Sequence, residues 1–374
     1  MRTAVTDRYY RTYTYQSCDR VPDIEFGYWP QTVRRWLREG LKFELAEGER
    51  NAMFLPRLDA FLGFDSLDWA NLWLRTAMLP PFDEQIIEKR PKSVIMRDAG
   101  GVTAERFMDD GEESSIPHFI KFPVDGPEDW ASLKQRYRLD HPERAIPQGS
   151  IDQARAGAAE GKMVAVFLTG PYGQLRDWMG FENLSVAFYD HPAMIHEMME
   201  HMAELVVGQI RRLPPDLPVD YVTWWEDMAS KNGPFVSPAM FRQFLQPFYH
   251  AVMTELRKHG CALGLVDCDG NPSDLVPCWL EEGVNVMFPL EVAAGVDPFA
   301  WRRKYGREIR LRGGIGKAPL VEGGQAIDRE LERIKPLLDQ GGYIPHLDHL
   351  VPPNISFANY CYYLERKRKL IGKV

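Results

Sequence analysis

The chain has 374 residues, 45% of them hydrophobic and 12% aromatic, with a formal net charge of −8. That is ample apolar material for a packed core, and the acidic balance argues against a general nucleic-acid binder, which needs a basic face to neutralise phosphates. Five scattered cysteines without CxxC spacing argue against a disulfide framework and suit a reducing cytoplasm.

Residues 1–16 hold no apolar stretch, so no signal peptide is expected, and no run approaches the roughly 18–20 apolar residues of a membrane span. Asp19-Arg20-Val21-Pro22 leads into Ile24, Phe26 and Tyr28, whose alternation predicts a first strand. Helical patterns follow at about 31–45 and 50–62. Two apolar runs, 93–96 and 102–107, flank Asp98-Ala99-Gly100-Gly101 and predict a β-hairpin. Helices are expected at 130–137 and 151–159. Met163–Leu168 reads as a buried strand ending in a loop, Thr169-Gly170-Pro171-Tyr172-Gly173. A long helix over 193–211 has Asp190 available as its cap.

From residue 163 onward six strand–helix units are predicted. The strands start near 163, 219, 261, 284, 308 and 342, and the helices near 193, 237, 273, 297, 318 and 354. With two less regular units before them, they would make a single distorted (β/α)8 TIM barrel of the α/β class, with an irregular N-terminal region and a β-hairpin insertion. One domain is expected over 1–374, with the elaboration at 1–160 and the regular units at 161–374. An open doubly wound sheet is the alternative, but Gly313-Gly314-Ile315-Gly316 is a weak dinucleotide signature.

Charged groups gather where the predicted strands end: Glu226-Asp227, Asp267-Cys268-Asp269, Glu291, Arg312, and Asp348-His349. A charge at a poorly solvated strand end is costly unless it is used. Asp267 and Asp269 stand two apart, so both face one side and Cys268 the other. The aspartates can chelate a cation or share a proton. Of Glu226 and Asp227, neighbours on a strand, at most one enters the site. His349 offers a ligand or a general acid–base beside the carboxylate of Asp348, while His346 reads as structural or peripheral. Glu291 is a lone carboxylate in an apolar segment, catalytic or paired with a cation such as Arg312. Tyr172, Trp178, Trp224 and Trp225 are candidate walls for an apolar substrate, and Arg312 and Lys317 candidate anion-binding groups.

These stretches resemble the uroporphyrinogen decarboxylase superfamily, which includes methyltransferases of corrinoid-dependent O-demethylase and methanogenic systems. The matching segments are Asp19–Pro22, Trp225–Met228, Gly233–Pro238, Asp267–Asn271, Pro289–Asp297, Gly313–Lys317 and Gly341–Pro353. The resemblance implies a distorted (β/α)8 barrel with its site at the carboxyl mouth. The decarboxylase branch uses paired arginines in an amino-terminal motif. Met96-Arg97-Asp98-Ala99-Gly100-Gly101 looks similar, but it lies in the hairpin and lacks the second arginine.

The methyltransferase branch binds zinc through a His-x-Cys pair, matched here by Asp267 and Asp269, with a third ligand matched by His349. The expected activity is methyl transfer from a small methoxylated or methylated donor to a corrinoid (cobalamin) carried by a partner protein. Asp267, Asp269 and His349 would form the polar or zinc site. Glu226, Asp227 and Glu291 would be catalytic, and Tyr172, Trp178, Trp225, Arg312, Lys317 and Asp348 would bind substrate. A decarboxylase and a non-catalytic ligand-binding barrel are the rivals. No nucleic-acid or membrane partner is expected, and a homodimer is compatible with the sequence.

Overall fold

The structure, a computed structural model, describes residues 2–66, 69–109, 112–113 and 117–373. Seven strands form one parallel sheet in chain order: β1 (Trp69–Leu72), β2 (Met163–Thr169), β3 (Tyr221–Trp225), β4 (Leu263–Asp267), β5 (Val284–Phe288), β6 (Arg310–Arg312) and β7 (Tyr343–Ile344). All neighbouring pairs are parallel, and helices cover the outer face. Burial on both faces explains why these strands read as apolar runs rather than as clean alternation.

The inward side chains form a cluster of their own. Trp69, Met163, Ala165, Tyr221, Leu263, Leu265, Val286, Phe288 and Ile344 pack with Ile24 and Phe26, and with Tyr9 and Tyr13 of the helix Ala4–Tyr13. The segment expected as the first strand therefore stands among the barrel's interior residues without joining the ladder. Its one bridge is Tyr28 to Val351. Side chains hold it instead. Lys367, fully buried, reaches Asp23 at 3.1 Å and Glu25 at 2.7 Å, and Glu25 accepts the Leu347 amide at 3.2 Å. The ladder thus runs across seven strands and stays open at the eighth position.

Six of the expected units appear at their expected places. The strand β1 and the edge strand Gln85–Arg90 have no counterpart in the sequence reading. The early helices are shorter than expected, Pro30–Arg38 and Pro56–Phe61. The segment after β2 is not a loop. Pro171, with its fixed φ, opens the helix Pro171–Met179. Asp190 ends the helix Phe181–Asp190 and does not cap the next one, Pro192–Ile210. The last helix, Phe357–Ile371, begins three residues later than expected, where Ser356 caps the Asn359 amide. The predicted hairpin belongs to an antiparallel sheet over 85–121, which sits before β2 in the chain. Among the described residues no helix is long and apolar enough to cross a membrane.

Candidate active site

The ends of β3, β4, β5 and β7 bring five acidic or imidazole groups together. Ligand atoms of Asp269, Glu291 and His349 lie within 4.8 Å of one another, and so do those of Asp227, Asp267 and Asp269. Asp269 belongs to both triads. The zinc set expected from the sequence, Asp267 with Asp269 and His349, is thus divided: Glu291 joins the imidazole, and Asp267 faces Asp227.

Local backbone explains the convergence. Asp227 has φ of +46°, a left-handed conformation that costs a non-glycine residue about 1–3 kcal/mol and turns the chain sharply after β3. Its carboxylate then accepts the Asp269 amide at 3.3 Å. Gly270 has φ of +79°, and a Cβ there would lie 2.6 Å from the Ala229 carbonyl. Only glycine lets its amide reach Glu291 Oε2, at 2.9 Å. His349 Nε2 sits 3.2 Å from Asp269 Oδ2.

The electrostatics follow from enclosure. Burial, with Asp227 and Asp269 close by, pushes the Asp267 carboxyl well above the usual range. Burial and Asp269 raise Asp227 as well. Burial acts to lower His349, but its pairing with Asp269 outweighs this and raises it. Lys317, at the start of the helix Lys317–Glu322, lies 3.4 Å from the buried Asp348 and 3.8 Å from Glu291. It neutralises carboxylates here. Asp348 also accepts the Val292 amide at 3.0 Å, and burial raises its carboxyl despite the lysine.

Several expected residues lie elsewhere. Glu226 turns away from the mouth. Its Oε2 accepts the Gly173 amide at 2.8 Å, and its Oε1 accepts the Tyr249 hydroxyl. It occupies the amino end of the helix Pro171–Met179, where Gly170 leaves it room, and burial raises its carboxyl to about 7. Tyr172 is in the core, near-parallel to Phe188 and Phe235. Trp224 is fully buried among Phe248 and Tyr249. Arg312 is buried below the mouth, its guanidinium 4.7 Å from the Phe288 ring centroid, and its Nε donates to His346 Nε2 at 3.2 Å. His346 is fully buried, and burial with the nearby Arg312 holds it neutral.

Trp178 and Trp225 line a cavity of about 860 Å³ beside the acidic cluster, a size usual for small-molecule sites. Phe119, Phe122, Tyr137 and Phe181 add aromatic wall, and Asp98 and Asp177 add carboxylates. Arg176 joins cavity and cluster. Its guanidinium lies 4.9 Å from the Trp225 ring centroid and donates to the Asp227 carbonyl at 2.6 Å. The turn Asp98-Ala99-Gly100, which in sequence looked like a decarboxylase motif out of place, forms one wall.

A family model described as uroporphyrinogen decarboxylase (URO-D) matches residues 108–370. No curated protein matches the sequence. Among solved structures, a methyltransferase from Methanosarcina mazei superposes with a TM-score of 0.58 at 15% identity, covering 98% of each chain, and so has the same fold. A B12-independent methionine synthase from Shewanella sp. W3-18-1, in complex with selenomethionine, gives a TM-score of 0.41 at 10% identity, over 92% of this chain and 86% of its own.

Proposed function

The chain belongs to the uroporphyrinogen decarboxylase family, and from that premise we propose that it moves a methyl group from a small methylated donor to a corrinoid carried by a separate protein. The observation that carries this reading is the pairing of an aromatic cavity with a cluster of ligating groups at the carboxyl ends of the strands. The decarboxylase reading fits less well. A polycarboxylated porphyrinogen would meet Asp227, Asp267, Asp269, Glu291 and Asp348, with Lys317 already engaged by two of them. Like charges there repel such a substrate.

The chain's own groups have separate tasks in this reading. Trp178 and Trp225 hold the body of the donor. Asp227 and Asp267, whose carboxyls burial and the nearby Asp269 push up, would supply a proton to a departing ether oxygen. The bond from heteroatom to methyl carbon breaks with its electron pair left on the heteroatom. The cobalt(I) of the partner's corrinoid supplies the pair for the new bond. Asp269, Glu291 and His349 suit zinc, two oxygens and one imidazole nitrogen being a catalytic ligand set that leaves a position open. When bound there, the ion would polarise the oxygen of an ether donor as a Lewis acid.

The test mixes the purified protein with a reduced corrinoid protein and a panel of methoxylated and N-methylated compounds. The expected result is the absorbance change of methyl–cobalt formation with at least one donor. No methylation across the panel, with carbon dioxide released from a carboxylated substrate, would overturn the reading in favour of decarboxylation.

A further inference from the structure

The charge and shape of the cavity narrow the donor. We infer that the cavity beside the acidic cluster recognises a methylated onium cation, a quaternary ammonium or sulfonium, by aromatic faces and the unpaired carboxylate of Asp177. The inference rests on the methyl-transfer reading only in calling that ligand the donor. The binding claim stands on the cavity alone.

Trp225 stands partly exposed at the end of β3. Phe119 and Phe181 are about half exposed at the rim, at 49% and 45%. Tyr137 and Trp178 are buried, joined by a hydrogen bond of 2.9 Å from the indole Nε1 to the phenolic oxygen. Ring faces attract a diffuse cation that water solvates weakly, and they do so more strongly as the site excludes water. Trp225 already accepts one, since Arg176 lies against it.

The charge balance points the same way. Two cations adjoin the cavity carboxylates. Arg176 is committed to Asp227, through the carbonyl at 2.6 Å and the carboxylate at 3.7 Å. Arg106 pairs with Asp98 at 3.7 Å. Asp177, one residue along the helix from Arg176, has no hydrogen bond or ion pair among the described residues. It lines the cavity from an exposed position, with the carboxylates of Asp98 and Asp227 near. A carboxylate-bearing aromatic donor would be repelled here, whereas an onium group relieves the repulsion. An onium donor also departs as a neutral amine or thioether, so it needs no proton.

Calorimetric titration with choline and with its neutral carbon isostere, 3,3-dimethylbutan-1-ol, tests this without turnover. Choline is expected to bind at least about tenfold more tightly, the equivalent of about 1.4 kcal/mol. Asp177→Asn should weaken choline about three- to tenfold and leave the alcohol unchanged, while Trp225→Leu should weaken both. Equal affinities, or no choline binding to the wild-type protein, would overturn the inference. A corrinoid assay separates the two proposals. Choline binding without methyl transfer from any onium or methoxylated donor keeps the cation site and counts against the transferase. Methyl transfer from a methoxybenzene with no choline binding does the reverse.

Discussion

Two groups of buried carboxylates, one around Lys367 and one at the mouth, have environments that push them in opposite directions. Burial pushes Asp23 up, but Lys367, Lys373 and Arg368 outweigh it and hold the carboxyl far below its usual range. At the mouth, Asp227, Asp267 and Asp348 are all raised, because burial and other carboxylates exceed the cations within reach. The first group is a finished electrostatic structure that substitutes for a β-ladder. The second is left incomplete, the condition in which a site can take a cation or give up a proton.

The largest effect should come from breaking the finished group. Lys367→Met leaves Asp23 and Glu25 buried without their shared cation and should lower stability by about 3–5 kcal/mol, read by chemical denaturation. Next comes Glu226, whose folded-state value of about 7 exceeds its ordinary 4.5. A raised acid stabilises the fold fully below its unfolded value and loses that contribution as pH rises through the folded value. Stability should therefore fall by about 3 kcal/mol between pH 4.5 and pH 8. Glu226→Gln mimics the protonated form and should flatten that profile in denaturation series across pH.

Smaller stability effects, with large functional ones, are expected at the mouth. Asp269→Ala removes a ligand from both triads and should abolish stoichiometric zinc in elemental analysis while changing stability by no more than about 1 kcal/mol. Retained zinc would move the metal elsewhere. Asp267→Asn relieves repulsion and should leave stability level or slightly higher. It should slow transfer from methoxylated donors, which need a proton, and spare onium donors. An equal loss with both classes would remove Asp267 from proton delivery.

The sequence made part of this legible. Apolar runs followed by charged pairs reveal the six strand–helix units, since a strand covered on both faces is written in Val, Leu, Ile and Phe. The same rule placed Asp267 and Asp269 on one side and Cys268 on the other, where its thiol accepts the Met228 amide at 3.4 Å. β1 was not legible: Trp-Ala-Asn-Leu is short and has no β-branched residue. The segment 24–28 alternates like a strand, yet its backbone partners are at 53 and 351, which no local pattern encodes. Asp98 and Asp177 were missed because a hairpin turn and a helix supply them, not a strand end. Tyr172 was misplaced because the breakers around it looked like a loop, whereas proline and glycine there open a helix.

One wall of the cavity comes from the antiparallel sheet at 85–121, through Asp98, Ala99, Gly100, Val102 and Phe119, while the triads are carried by the ends of barrel strands and the segments that follow them. Selectivity and reactivity therefore have separate addresses in the chain. Grafting a different sheet between β1 and β2 would retune which molecule is accepted without disturbing the machinery that acts on it.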